Sequence, residues 1–448
     1  MHLIKTSSTK GKLPKLKRDA LEIVEAGIRA ANAGTAIRRT VRLERDKLRV
    51  GKKSYELGRF DHVYVVGAGK ASGAMAQALE ASLGKRITSG FVSVKYAHKR
   101  PTRIIEQAEA GHPLPDANSL RNGKRILDIV ARTTANDLII CLFSGGGSAL
   151  LESLPADLTL KDLEKTTDLL CLRAGATINE VNTVRKHLSL IKGGQLARCA
   201  YPATVVSLIL SDVVGDPLDI IASGPTVQDP TTFKEAYRIL EKFDLLAKVP
   251  GAVVDYINKG VRGSVSETPK SGVFFKNVQT LIIGSCRMAV DAALTQAKSL
   301  GYNSLILSTS IEGEAKEVAK VYAAIAKEII ERNLPIKRPA CVLSGGEMTV
   351  TVKGNGKGGR NQEFILALAL ALRGVGGWVA ASVDTDGSDG VTDAAGAIAN
   401  GLTIKDRRLA ESELERNNSY GVFKEKESLI FTGPTGTNVN DLRVLLIG

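Results

Sequence analysis

The sequence predicts an α/β architecture of two domains, and three observations carry that expectation. The chain has 448 residues, beyond the size at which one hydrophobic core usually stops growing. Short, continuously apolar runs alternate with segments of helical periodicity, the pattern of a mostly parallel sheet covered on both faces. Glycine-rich turns follow several of those runs directly, drawing on a total of 44 glycines.

In chain order, residues 15–37 carry a helical stripe of Ala20, Leu21, Val24 and Ile28. Residues 62–66 read as a strand, Gly67-Ala-Gly69 as its turn and Lys70 to about Ser82 as an alanine-rich helix, which puts Lys70 in a first helical turn. Residues 91–94 and 137–143 are the next strands, the second running into Ser144-Gly-Gly-Gly-Ser148. The run 203–210 leads to Ser211-Asp212, then to Gly215-Asp-Pro217 and Ser223-Gly-Pro-Thr226, polar loops of the kind that carry function beyond a buried strand. A helical region covers the 230s and 240s, and a turn-rich stretch around 263–272 is connective. A second sheet-and-helix unit opens at Val278, with strands at 304–307 and 340–343, an apolar helix at 364–372, and last strands at 378–383 and 442–447. The expected domains are residues 15–270 and 278–448.

A formal net charge of +14 predicts attraction to anions without choosing among nucleotides, organic acids and nucleic acids. No zinc-finger spacing or zipper is present, and aromatics make up only 4%, which argues against a stacking platform for single strands. Cys141, Cys171, Cys199, Cys286 and Cys341 are widely spaced and expected to be reduced and largely buried. No apolar run is long enough to span a bilayer, and charges at Glu22 and Glu25 interrupt any secretory core, so the cytoplasm is the expected compartment.

The candidate chemistry lies in the loops. In Ser344-Gly-Gly-Glu347 and Gly354 to Glu363, glycines let backbone N–H groups approach an anion, and Arg360, placed just before the apolar helix, can clamp a phosphate or carboxylate through two parallel bonds. Structural anchoring by Arg360 is the alternative. Lys70 sits where unpaired N–H groups attract anions, although a tight structural turn and a dinucleotide site stay open. Asp386 and Asp389 concentrate hard oxygens suited to Mg²⁺, with Glu347, Asp212 and Asp216 available to complete a site; turn capping is the plain alternative. His112 can orient a hydroxyl or serve structurally. Ser144, Ser148, Ser223 and Thr226 can donate to phosphate, and Asn179 and Arg185 offer substrate contacts, with turn and cap roles open for each.

Taken in order, VVGAGKAS, GHPLPD, FSGGGSAL, SDVVGDPLDIIASGPT, LSGGEMTV, KGGRNQE and DTDGSDG resemble the class II glycerate 2-kinase family with a C-terminal MOFRL domain, across nearly the whole chain. The resemblance implies a large Rossmann-like N-terminal domain and a smaller C-terminal α/β domain around a cleft. It implies ATP-dependent phosphorylation of D-glycerate to 2-phosphoglycerate with Mg²⁺. Lys70 would stabilise the transferring phosphoryl group, Arg360 would hold substrate, Asp212 would take the hydroxyl proton, and Asp386 and Asp389 would support the metal. Nucleotide would be held by Gly67, Gly69, Ser144, Gly145, Gly146, Gly147, Ser148, Gly224 and Thr226 in the first half. In the second half Gly345, Gly346, Glu347, Gly358, Gly359 and Asn361 would hold it. His112, Asn179 and Arg185 would join Arg360 on the substrate. Some relatives carry a hydroxypyruvate reductase label, so NAD(P)H-dependent reduction is the competing activity, and nucleic-acid binding the alternative of a different class. The expected partners are D-glycerate, no membrane and no specific nucleic acid, in a monomer or homodimer.

Overall fold

The computed structural model describes residues 3–6 and 14–448. The chain divides into two compact units, residues 33–283 and residues 1–32 with 284–448.

The first unit is built on a six-stranded sheet whose spatial order is 278–284, 204–210, 137–144, 62–68, 89–95, 105–110. Renumbered in chain order the strands run 6-5-4-1-2-3, and the five from 204–210 to 105–110 are parallel neighbours. The chain therefore leaves the first strand in one direction and later returns to its other side. That reversal opens a crevice outside the carboxyl ends of the strands at His62–Ala68 and Asp137–Ser144. Every residue of Asp137–Ser144 is buried, as expected for a strand with neighbours and helices on all sides. Separate helices at Leu160–Asp168, Ile178–His187, Phe233–Lys242 and Gly251–Val261 bury Leu163, Val184, Phe233, Leu240 and Ile257 in a core of their own. Three of the four begin with a threonine capping box, at Thr159, Thr177 and Thr232, which satisfies otherwise orphaned N–H groups.

The second unit has a seven-stranded sheet in the order 5–6, 429–431, 396–400, 378–384, 441–447, 340–346, 303–308. Among the described residues the pair 303–308 and 340–346 is parallel and the other neighbouring strands pair antiparallel. One face is covered by helices Ala315–Arg332 and Arg360–Ala371, the other by Lys15–Ala31 and Cys286–Ser299.

Both expected boundaries move. The helix at Lys15–Ala31 buries Ala20, Ile23, Val24 and Ile28 against Val290, Ala293, Leu442 and Val444, and Tyr302 donates to Asp19 at 2.8 Å. Its apolar stripe thus belongs to the C-terminal unit, and the N-terminal unit begins at residue 33, not 15. Conversely, the strand at Val278–Gly284 does not open the second unit. It lies beside Thr204–Leu210, and Gln279 bonds to the Tyr55 hydroxyl at 2.5 Å and the Val50 carbonyl at 3.1 Å. The expected helix over 15–37 also breaks at Asn32, with a second helix at Ala33–Thr40. Of the cysteines, none is disulfide-bonded, but Cys171 is exposed and Cys199 half-buried, contrary to the expectation of general burial.

Ile28→Ala leaves a cavity between helix 15–31 and the C-terminal sheet, and is expected to cost about 2–5 kcal/mol. Calorimetry should show the loss in the melting of the C-terminal unit, with the transition of residues 33–283 little changed.

Candidate active site

In the N-terminal unit the switch-point crevice is lined by two loops that hold each other. The amide of Lys70 donates to the Gly145 carbonyl at 2.9 Å, and that of Ala71 to the Ser144 hydroxyl at 3.0 Å. These bonds delay the helix, which starts at Ser72 with Ala71 as its cap. Lys70 therefore precedes the helix instead of occupying its first turn, and its ammonium is carried on a braced loop. A Cβ on Gly69, at φ +147°, would stand 2.0 Å from Ser144 Oγ, so only glycine permits this crossing.

Three of the expected side chains meet there. A Cβ on Gly145 would overlap the Asp212 carboxylate, at 1.7 Å from Oδ2, and one on Gly146 would meet His112 Nε2 at 3.0 Å and Lys70 Cε at 3.3 Å. Lys70, His112 and Asp212 thus converge on the Gly145–Gly146 backbone. Burial raises the Asp212 carboxyl above its ordinary range, with Lys70 pulling the other way. Burial, reinforced by Lys70, Lys95 and His98, lowers His112 to about 4, so its ring is neutral near pH 7. Arg185 donates to the Ser148 carbonyl at 3.0 Å, while its buried Nε finds no acceptor among the described residues. An unsatisfied guanidinium N–H at the end of a glycine loop fits an anionic group such as a nucleotide phosphate.

Other expected ligands in this unit have structural work. Gly67 lies within its strand, where a Cβ would meet the Leu142 carbonyl at 2.2 Å, and Gly147 would meet Ala222 at 2.8 Å. Thr226 is buried and donates to Ser207 at 2.9 Å; Gly224 is a left-handed residue packed on Asp219. Ser223 bonds Ser148 and Asn182. Asn179 is exposed on the first turn of its helix. Lys186 is fully buried between Asp219 at 2.9 Å and Asp229 at 3.2 Å, tying the helix to the loop that follows Asp212.

In the C-terminal unit the glycine loops are not an open cradle. Gly345 and Gly346 are buried at the end of the strand Ala340–Gly346, where a Cβ on Gly345 would meet Cys286 Sγ at 2.0 Å. The amides of Lys353 and Gly354 donate to the Asn417 side chain, that of Lys357 to Asn418 and that of Gly356 to the Arg416 carbonyl, so the protein itself supplies the acceptors. Gly358 and Gly359 pack closely on Ser419 and Asp389.

Arg360 is the first residue of its helix, not the residue before it. Its Nε donates to Asp441 at 2.9 and 3.0 Å, one terminal nitrogen to Asp384 at 2.7 Å, and the other approaches Glu347 at 3.3 Å. Burial alone would lower the guanidinium; Asp441, Asp384 and Glu347 outweigh it and raise it further above its already high value. Asp441 also accepts from Asn361 at 2.8 Å, and Asn361, wholly buried, takes a bond from Ser382, which commits it to the core instead of to a nucleotide. Asp384 is raised well above the ordinary range by burial, then by Asp386 and Asp441.

Asp389, expected as a metal ligand, is spent on the helix start. Its two oxygens accept the amides of Asn361 at 3.1 Å and Gln362 at 2.9 Å, and it is fully buried. Asp386 accepts from the Ser388 amide and hydroxyl and keeps partial exposure. Among the described residues no three His, Cys, Asp or Glu side chains are disposed to hold a metal ion. The residues therefore fit a divalent ion carried mainly by phosphates and water, as Mg²⁺ tolerates, with one carboxylate such as Asp386 at most in support. Asp441 is the functional candidate that sequence reasoning missed, while Asp384 opens the DTDGSDG motif as one of its hard oxygens. An Asp-Leu-Arg alternation at the head of an otherwise apolar strand was the available signal.

Burial raises Asp389 from 3.8 to about 6, opposed by the two amide bonds. A raised acid favours the fold while protonated, so this contribution is present below pH ~4 and is lost as pH rises through about 6. The two-unit span corresponds to roughly 3 kcal/mol. Denaturation across pH 4–7 should show the C-terminal unit weakening, and Asp389→Asn should flatten that slope.

No helix among the described residues is long and apolar enough to cross a membrane. Residues 19–258 match a domain family of unknown function, DUF4147, and residues 340–441 match the MOFRL family. A glycerate 2-kinase of Pyrococcus horikoshii is 43% identical, covering 96% of this chain and 97% of its own. A protein of Agrobacterium vitis with a provisional hydroxypyruvate reductase name is 45% identical over 86% of this chain and 87% of its own. The crystal structure of a Thermotoga maritima glycerate kinase superposes with a TM-score of 0.87 at 41% identity, covering 97% of this chain and 99% of that one. With both domain models matched in order and kinase relatives aligned nearly end to end, the chain belongs to the glycerate 2-kinase family with a C-terminal MOFRL domain.

Proposed function

We propose that the protein transfers the γ-phosphoryl group of ATP to the 2-hydroxyl of D-glycerate, giving 2-phosphoglycerate and ADP. The observation that carries this reading is the convergence of Lys70, His112 and Asp212 on the Gly145–Gly146 backbone at the switch point of a parallel sheet. Phosphoryl transfer asks the protein chiefly for positioning and for neutralisation of charge, and this group offers both. Lys70 supplies a mobile cation that can follow the γ-phosphoryl group from ADP to the acceptor oxygen and offset the charge left on ADP. Arg185, reaching the Ser148 carbonyl from the helix Ile178–His187, adds a donor through its unsatisfied Nε.

Asp212 is the base. Its raised carboxyl is closer to neutrality than an exposed aspartate, and the nearby lysine favours the ionised form that accepts the hydroxyl proton. His112, neutral near pH 7, orients the acceptor by hydrogen bonding without adding charge. Mg²⁺ bound with the nucleotide would neutralise phosphate charge, with Asp386 more accessible than the buried Asp389 to assist it. In the C-terminal unit Arg360 is read as an anion-binding residue. A monomer or a homodimer satisfies this chemistry, and a cytoplasmic enzyme is the natural setting for ATP.

The strand order and the Agrobacterium vitis relative favour testing a reductase alongside it. Against a dinucleotide site, the second strand ends in Lys95 where an acid would be needed for a ribose. Product NMR should show 2-phosphoglycerate from D-glycerate, ATP and Mg²⁺; oxidation of NADH or NADPH by hydroxypyruvate with no phosphorylated product would reverse the assignment. Lys70→Met and Arg360→Ala should each lower kcat/KM at least about tenfold, corresponding to roughly 1.4 kcal/mol of transition-state stabilisation. Gly145→Ala should lower kcat comparably by driving Asp212 from its place, with folding checked by circular dichroism.

A further inference from the structure

Beside the loop that carries Ser148, Lys192, Arg185 and Glu152 form a group of two cations and one acid. Lys192 is 1% exposed and Glu152 wholly buried; the ammonium donates to one Glu152 oxygen and, at 2.9 Å, to the Leu151 carbonyl. The other Glu152 oxygen accepts the Ser189 hydroxyl at 2.6 Å and the Ser153 amide at 3.0 Å, so both are engaged. Arg185 is left with the Ser148 carbonyl at 3.0 Å, and its Nε has no acceptor among the described residues. Backbone packing fixes the arrangement. A Cβ on Gly123 would stand 1.9 Å from the Glu152 carbonyl, and the amides of Gly193 and Gly194, next to Lys192, donate to the Ser223 and Gly224 carbonyls at 2.9 and 2.8 Å. An uncompensated positive charge in a buried group is costly without a counter-ion. The titration shifts agree in sign: burial lowers Arg185, against Glu152 and Cys171, and burial lowers Lys192 to about 8, with Glu152 opposing and Arg185 reinforcing. Arg360, by contrast, is raised by its acids. Arg185 keeps partial exposure, which is where a counter-ion can reach it.

We propose that Lys192 is a positioning residue that engages Glu152, so that the charge of Arg185 stays available to an anionic ligand at the Ser148 loop. Glu152 lies close enough to attract Arg185, and with Lys192 removed a rotation of its side chain gives the guanidinium the partner it lacks. Pairing Glu152 with the ammonium cancels the acid and spares the guanidinium, whose planar fork suits a phosphate or a carboxylate. Arg185 meets the ligand; Lys192 acts only through Glu152. Either a nucleotide phosphate or the acceptor's carboxylate supplies the anion, and its place in catalysis rests on the phosphoryl transfer proposed above.

Lys192→Met and Glu152→Gln break the same ion pair, yet they should act differently on binding. Calorimetric titration of the full-length protein, with ADP and separately with D-glycerate, reads affinity as Kd and the folded fraction as stoichiometry. Lys192→Met should raise Kd about tenfold for the ligand that Arg185 holds, because Glu152 then neutralises the guanidinium. Glu152→Gln should leave that Kd unchanged or lower it. The double variant Lys192→Met with Glu152→Gln again leaves Arg185 unopposed, and should return Kd to within about twofold of the unaltered value. Equal weakening by the two single variants marks the pair as merely structural and refutes the proposal, as does unchanged binding by Lys192→Met. If Lys192→Met does not fold, the other two variants decide: unchanged or tighter binding by both supports the proposal, and weaker binding by either refutes it. A response to ADP assigns the anion to a nucleotide phosphate, and a response to D-glycerate assigns it to the acceptor carboxylate. Titration needs no turnover, so a protein that binds with this pattern but forms no 2-phosphoglycerate refutes the reaction and not the inference.

Discussion

The C-terminal loop cluster depends on one unfavourable juxtaposition. Asp384 and Asp441 are register partners on adjacent antiparallel strands, like charges directly opposite one another, an arrangement that destabilises a sheet unless something neutralises it. Arg360 does so from the first turn of a neighbouring helix, bonding both. Because a guanidinium is planar with fixed donor directions, satisfying two carboxylates also fixes the third edge. Asp389 secures the same helix start by taking two of its free amides, so the arginine cannot drift along the helix axis. Removing any one member leaves a buried charge or orphaned donors, which makes this a cooperative assembly and not a sum of pairs.

The N-terminal unit solves a different problem. Its sheet order creates a crevice, and the loops flanking it must approach more closely than side chains allow. Glycines at 69, 145 and 146 make that approach possible, and the bonds from Lys70 and Ala71 to the opposing loop hold it. The result is a carboxylate, an imidazole and an ammonium held against backbone, without a rigid ion pair to cancel the lysine. Ala222 and Ser223, both at positive φ, carry local strain in the loop that follows Asp212. The buried Lys186 bridge to Asp219 and Asp229 anchors that loop to a helix, which is how such strain persists.

Much of this was legible in the sequence, and the limits have physical causes. Buried strands announce themselves because continuous apolar runs between glycine turns have few other solutions, and Lys70, His112 and Asp212 lay in the loops after them. The destination of the helix at 15–31 was not legible: an apolar stripe says that a partner exists, not that it lies some 260 residues away near Val290. The glycine loop at 354–359 misled for the same reason. Flexible N–H groups imply an acceptor, and nothing local revealed that Asn417 and Asn418 would provide it. Asp441 reads as an ordinary strand start until Arg360 is brought against it from 81 positions away. Asp389 likewise reads as a metal ligand until the helix it caps is in place.

The two clusters also show why net charge is a poor guide to a site. The chain carries +14 overall, yet Arg360 is surrounded by more carboxylates than it can neutralise, whereas around Lys70 burial, and after it the positive field, depresses His112. Long-range attraction of an anion follows the first quantity; recognition follows the second. A cation already enclosed by acids discriminates strongly, because a ligand must contend with them in both charge and shape. A less encumbered cation discriminates weakly but is free to move with charge as it redistributes. The enclosed cation suits selection of an anion, and the open one suits a reaction in which charge moves.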